Sequence, residues 1–165
     1  YLDPDLVVNR PLDALYNMPM GDALFAAASH VKGLMQKMNE LRLDMDESSP
    51  YINSGVLLMN LARLRREQNE ADVFDYIEKH KNSLILPDQD VISALYGQRI
   101  IALDSYIYNM TERLFALRLL TSRKMSVDWV RKNSAVIHYC GRNKPWRPGY
   151  IGMLDVFWNE TAAKI

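Results

Sequence analysis

Apolar and polar positions change over along this chain in blocks short enough to be strands and helices in turn. Leu6-Val7-Val8 is a short apolar run beside an acidic pair, and Asn9-Arg10-Pro11 breaks it. Ala23 to Ala28 is small and apolar, and its periodicity fits strand and helix equally. Apolar residues at Val31, Leu34, Met35, Met38 and Leu41 have the spacing of a helix running to Leu43. Tyr51 to Met59 follows Ser48-Ser49-Pro50 and is rich in aliphatics, which predicts a buried strand containing Gly55. Asn60 to Lys79, charged with interleaved Leu, Phe and Ile, predicts one or two helices. Pro87-Asp88 predicts a helix start, with Asp88 as N-cap before Val91, Ile92 and Leu95. Ile100 to Leu103 and Ala135 to Tyr139 are expected as strands; Thr111 to Leu120, Ser126 to Lys132 and Leu154 to Ala162 are expected as helices. Strands alternating with helices imply an α/β layered domain, and no repeat or Gly/Ser linker divides it.

Composition adjusts this picture little. A chain of 165 residues, 48% hydrophobic and 24% charged, can bury a substantial core. Twenty basic and twenty acidic residues cancel, so the net basic balance that favours nucleic acid is absent, while a small anionic ligand stays compatible. The single cysteine, Cys140, cannot form an internal disulfide, reads as a small buried apolar residue and points to a reducing, cytoplasmic setting. Two glycosylation triplets, Asn109-Met110-Thr111 and Asn159-Glu160-Thr161, are short enough to arise by chance. The chain opens on Tyr-Leu-Asp without an initiator Met and reads as a piece of something longer.

Four clusters could carry chemistry. In an extended strand, Asp3 and Asp5 would share a face, because side chains alternate with period two. Their hard oxygens suit a divalent cation, although the same pattern serves as a solvated acidic turn. Asn53-Ser54-Gly55 places polar groups inside an apolar run, where they need partners: a hydroxyl-rich ligand or the backbone around a Gly bulge. Asp88-Gln89-Asp90 heads a helix, where capping explains the acids and leaves Gln89 over. His138-Tyr139-Cys140-Gly141-Arg142-Asn143-Lys144-Pro145-Trp146 delivers an imidazole, then a glycine, then a cation, an order suited to a diphosphate or to a structural histidine. No serine-hydrolase elbow, Walker loop or dinucleotide-binding glycine motif occurs.

Taken in order, Tyr1-Leu2-Asp3-Pro4-Asp5, Tyr51 to Leu61, Pro87-Asp88-Gln89-Asp90-Val91 and His138 to Trp146 resemble glycosyltransferase family 8, over nearly the whole chain. The resemblance implies a GT-A type α/β fold, a mixed sheet flanked by helices. Residues 1–165 would be its C-terminal portion, starting at the D-x-D, with the N-terminal nucleotide-binding half missing. It implies a retaining transferase that moves galactose or glucose from UDP-galactose or UDP-glucose to an acceptor hydroxyl on a glycan, lipid-linked or protein acceptor. The setting would be cell-surface polysaccharide, lipopolysaccharide or glycoprotein glycan synthesis, in the cytoplasm or at the inner face of a bacterial membrane, with an oligomer open.

By the same resemblance, Asp3, Asp5 and His138 hold Mn²⁺, with Mg²⁺ as the alternative. Gly141 and Lys144 contact phosphate. Asn53, Ser54, Asp88 and Gln89 contact the donor sugar, and Gln89, with Asp88, is the catalytic candidate at the β-face of the anomeric carbon. Ser93 and Leu64 depart from the family's common Asn and Trp. The rival readings are a non-catalytic carbohydrate- or partner-binding module, a fragment inactive without its N-terminal half, and a nucleotidyltransferase.

Overall fold

A computed structural model describes residues 1–29, 34–47 and 49–164. The chain divides into two units, one of Tyr1 with residues 18–103, the other of residues 2–17 with 104–165.

The first unit is built on a three-stranded sheet. Strand β2, Phe25–Ala28, is central, antiparallel to β3, Leu57–Met59, and parallel to β4, Ile100–Leu103. The ambiguous Ala-rich run is therefore strand, and all four of its residues are buried. A strand covered on both faces needs a continuous apolar run rather than an alternating one. Around the sheet lie α2, Leu34–Leu43, α3, Leu61–Glu67, α4, Glu70–His80, and α5, Pro87–Tyr96. Ala27, Ile52 and Leu57 form one apolar cluster with Ile92 of α5, and Leu43, Met45 and Tyr51 form another.

Three expectations change here. The run from Tyr51 to Met59 is strand only from Leu57, because Ser54 and Gly55 form a turn. Helix α2 forms, but Met35, Met38 and Leu41 stand out in solvent while Leu43 is buried; Val31 lies outside the described residues. Asp88 does not cap α5. Leu86 holds the cap position without a side-chain bond, Pro87 takes the first turn, and Asp90 reaches back to accept from the Ile85 and Leu86 amides at 2.7 and 3.1 Å.

The second unit pairs β1, Leu6–Val8, antiparallel with β5, Val136–His138, and Met110 bridges parallel to Ile137. Helices α1, Asp13–Tyr16, α6, Ser105–Tyr108, α7, Glu112–Thr121, α8, Val127–Asn133, and α9, Asp155–Ala162, complete it. Thr111 and Ser126 are the N-caps of α7 and α8, accepting from the amides of Leu114 and Trp129. Val7, Met110, Phe115, Val130, Ile137, Leu154 and Phe157 form its core. Asn9 ends β1 by donating to the carbonyls of Ser134 and Arg131 at 2.8 and 3.1 Å, which ties the strand to the end of α8.

Candidate functional site

Each unit gathers one group of the residues singled out in the sequence. In the second unit, the β1–β5 register sets Leu6 opposite His138, and the Tyr139 amide donates to the Asp5 carbonyl at 2.9 Å. Asp3 and Asp5, 135 and 133 positions from His138, thereby come to its ring. His138 Nε2 lies 3.2 Å from Asp5 Oδ1 and 3.7 Å from Asp3 Oδ2. The two carboxylates converge through a turn at Pro4-Asp5 rather than through strand alternation. The other oxygen of Asp5 accepts from Lys144, whose ammonium also donates to the Tyr139 carbonyl at 2.7 Å and stands 5.5 Å from the Trp146 ring.

Gly141, which opens the turn carrying Lys144, has φ +84°, a conformation that strains any residue bearing a Cβ. This backbone requirement explains the glycine. Cys140 is exposed, which corrects its reading as a buried apolar residue.

The donor set fits a divalent cation. One ligand atom from each of Asp3, Asp5 and His138 lies within 4.8 Å of the others. His138 is 1% exposed, and its Nδ1 is 2.8 Å from Asn109 Oδ1. A carbonyl oxygen only accepts, so Nδ1 carries the proton and Nε2 turns a lone pair towards the two carboxylates. That contact is repulsive unless a proton or a cation lies in it. Burial holds the His138 pKa below the ordinary imidazole value despite the pull of Asp5 and Asp3, so a proton is disfavoured. Burial also pushes the Asp5 carboxyl up, but the Lys144 hydrogen bond and the charges of His138 and Lys144 outweigh it and keep Asp5 ionised. Two carboxylates and an imidazole suit a borderline-hard metal ion.

Asn109 was not among the site candidates. Its 1% exposure removes it as an accessible glycosylation acceptor and makes it the partner that fixes the His138 tautomer. Only the polar Asn-Met-Thr stretch ahead of α7 hinted at it.

In the first unit, the turn at Asn53-Ser54-Gly55 meets the start of α5. Asn53 Nδ2 donates to Gln89 Oε1 at 2.9 Å, the Ser54 amide approaches the same oxygen at 3.4 Å, and the Ser54 hydroxyl donates to Asp88. The Gly55 amide closes the turn on Asn53 Oδ1 at 3.2 Å. Gln89 is 5% exposed, and among the described residues its Nε2 makes no hydrogen bond of ordinary geometry.

Beneath it, Asp90 is fully buried. Arg42 grips it through two bonds of 2.8 and 2.9 Å, and the Tyr51 hydroxyl donates at 2.7 Å. Burial and the Asp90 carboxylate together push the Tyr51 hydroxyl up to about 12. Arg42 and Tyr51 thus anchor the helix that presents Gln89, a role no local pattern around Arg42 announces.

The fold matches a structural class. The chain superposes on a crystal structure of an active-site mutant of LgtC with a TM-score of 0.80 at 25% identity, over 99% of this chain and 60% of that one. The architecture is the mixed α/β GT-A fold. The chain matches the profile of glycosyl transferase family 8 over residues 1–148 and belongs to that family. It is 25% identical to general stress protein A of Bacillus subtilis over 88% of this chain and 51% of that protein. It is 26% identical to lipopolysaccharide 1,2-glucosyltransferase of Escherichia coli over 88% of this chain and 43% of that one. The chain therefore spans about half the length of these curated relatives.

Proposed function

We propose that this chain carries the metal, phosphate and sugar contacts of a retaining hexosyltransferase that moves galactose or glucose from a UDP-sugar to an acceptor hydroxyl. The observation that carries the reading is the closure of Asp3, Asp5 and His138 to within 4.8 Å, with Lys144 on Asp5. These three residues would hold Mn²⁺, and a bound divalent ion offsets negative charge on the diphosphate leaving group. Lys144 supplies a second positive charge on a side chain that can exchange Asp5 for a phosphate oxygen. The Gly141 amide, in its left-handed turn, is the phosphate donor assigned beside it.

The sugar contacts are assigned to Asn53, Ser54, Asp88 and Gln89. The buried Gln89 Nε2, which makes no hydrogen bond of ordinary geometry among the described residues, supports a hydroxyl-bearing ligand there. Its Oε1 already accepts from Asn53 and lies near the Ser54 amide, which draws electron density from an amide that is a weak nucleophile to begin with. Gln89 therefore positions the donor. Retention then follows from same-face substitution, with the leaving phosphate taking the acceptor proton. Recovery of a glycosyl adduct on Gln89 or Asp88 by mass spectrometry would remove that route.

The primary test is calorimetric titration with Mn²⁺ and then UDP, paired with transfer assays using both UDP-hexoses. It is run on this chain and on a version extended to the length of its relatives. The Asp5→Ala variant of the extended protein is expected to lose Mn²⁺-dependent turnover by at least about a hundredfold, the scale of losing one strong electrostatic contact to the transition state. Turnover unchanged in Asp5→Ala would sink the metal assignment.

A further inference from the structure

Helix α7 is apolar on two opposite faces. Phe115 is 1% exposed and faces the core of its unit. On the other side Ala116, Leu117 and Leu120 share one helix face, with Arg113 at its N-terminal end. Leu117 is 52% exposed and Leu120 is 85% exposed. An apolar stripe on both faces is the pattern of a helix covered on both sides, and here the outer side stands in water.

Charge says what covers it. Arg113, Arg118, Arg123 and Lys124 are all exposed along this helix and the turn after it. Among the described residues none of the four enters a salt bridge. Arg118 lies over the Tyr106 ring at 5.8 Å, and with Lys124 it lines an open recess of about 260 Å³. Glu112, the one acid in the stretch, is turned inward to Tyr150 and to the amides of Met153 and Leu154. Asp104, at the rim of the recess, caps the Tyr106 amide at 2.8 Å. In a chain with no net charge, Arg113, Arg123 and Lys124 are a local excess of cations beside the exposed leucines, while Arg118, three residues on from Phe115, lies on the side of the helix that faces its own unit. A second copy docking by a two-fold axis would set these cations against themselves. An anionic surface with an apolar interior complements both the charge and the leucines.

We propose that α7 docks this unit on an anionic phospholipid bilayer. Leu117 and Leu120 enter the headgroup–acyl boundary, while Arg113, Arg123 and Lys124 meet lipid phosphates. This places an acceptor carried on, or leaving from, a membrane within reach of the protein, but the docking stands whether or not the transferase reading does.

The test is flotation of the chain with vesicles of phosphatidylcholine alone and of phosphatidylcholine mixed with phosphatidylglycerol. The native chain is expected to float with the mixed vesicles only, and to be released as salt is raised. Leu120→Glu is expected to lower the partition coefficient by at least about tenfold, since it removes a buried Leu and adds a repelled charge. Arg123→Gln with Lys124→Gln is expected to lower it by about tenfold or more as two lipid-facing cations are lost. Both sites are exposed, and circular dichroism with thermal melts checks that the variants remain folded. No flotation, equal flotation with both vesicle types, or unchanged flotation of the folded variants would overturn the proposal. So would a dimer, seen by sedimentation velocity, that Leu120→Glu dissolves.

Discussion

The two units spend their aspartates in opposite ways. In the first, Asp90 is sealed from water and every oxygen is engaged: Arg42 twice, the Tyr51 hydroxyl, and two amides at the start of α5. In the second, Asp3 and Asp5 face an imidazole lone pair, and Lys144 answers Asp5 with charge. The first arrangement is complete as the chain folds it; the second gains from a cation the chain does not supply. A buried carboxylate whose oxygens are all engaged is a structural part, whereas carboxylates converging on the lone pair of a buried imidazole suit a bound cation. The polar cluster above Asp90 repeats the lesson on a smaller scale, because Asn53, Ser54 and Asp88 find partners and Gln89 Nε2 alone among them is left open.

The largest effect that separates the two arrangements comes from Asp90→Ala. It strands the Arg42 guanidinium and leaves two amides and a tyrosyl hydroxyl without an acceptor. Removing one partner of a buried ion pair costs about 3–5 kcal/mol. Urea unfolding is expected to show a loss of that size, while Mn²⁺ still raises the melting temperature of whatever fraction remains folded. Asp5→Ala should do the reverse, with a small change in stability without metal and no response to Mn²⁺. At about a hundredfold excess over Kd that response is worth about 2.7 kcal/mol in the native chain. If Asp90→Ala abolished Mn²⁺ binding in still-folded protein, or if Asp5→Ala kept it, the division of labour would be wrong.

The next effect sharpens the metal side alone. Asn109 touches no proposed ligand except His138, so its work is to hold the ring with Nε2 turned to the carboxylates. Asn109→Ala is expected to weaken Mn²⁺ affinity by about 10–100-fold, the usual scale for losing the group that orients a metal-binding imidazole. Asn109→Asp, which keeps an acceptor at Nδ1, is expected to recover most of that loss. A merely structural asparagine would show no such split between the two variants in calorimetry. Equal affinities in Asn109→Ala and the native chain would remove the residue from the site.

What the sequence disclosed tracks how local each interaction is. Helices α7 and α8 were legible to within a residue because Thr111 and Ser126 cap them and the cap is written beside the helix. The four-residue helices α1 and α6 are too short to show a period and went unseen. The aliphatics of Tyr51 to Met59 suggested a strand throughout, yet Asn53 closes a turn on the Gly55 amide and only the last three residues pair with β2. The stripe on α2 marked a helix and not its buried side. Asp3 with Asp5 and His138 with Lys144 stood out as separate clusters and were joined into one site through resemblance, and the β1–β5 register supplies the physical reason they meet. Arg42 and Asn109 could not be found that way. Each acts through long-range contacts, Arg42 on Asp90 and the Ser83 carbonyl and Asn109 on His138, and nothing in the residues flanking them encodes the partner.

The smallest effect to separate the units is their response to acid. His138 sits below the ordinary imidazole pKa, chiefly through burial. Above about pH 6.5 neither the folded nor the unfolded ring carries a second proton, so the contribution of the buried neutral ring is intact. As the pH falls below that value the unfolded chain takes up the proton first, and stability is lost until the folded ring also protonates. Burial pushes the Asp90 carboxyl up, but Arg42, the Ile85 amide and the Tyr51 hydroxyl outweigh it and hold its pKa down. Its contribution is therefore complete above about pH 4 and declines only below that point. Between about pH 6.5 and pH 4 the unit holding His138 should loosen while the Asp90 network keeps its strength. Amide hydrogen exchange in the presence of a chelator, corrected for intrinsic rates, is expected to show protection at Val136 to His138 falling between about pH 7 and pH 5. The amides of α5 around Asp90 should hold theirs over the same interval. Saturating Mn²⁺ should cancel the difference by keeping Nε2 occupied, and parallel losses in both segments, with or without metal, would show that the acid response does not originate at His138.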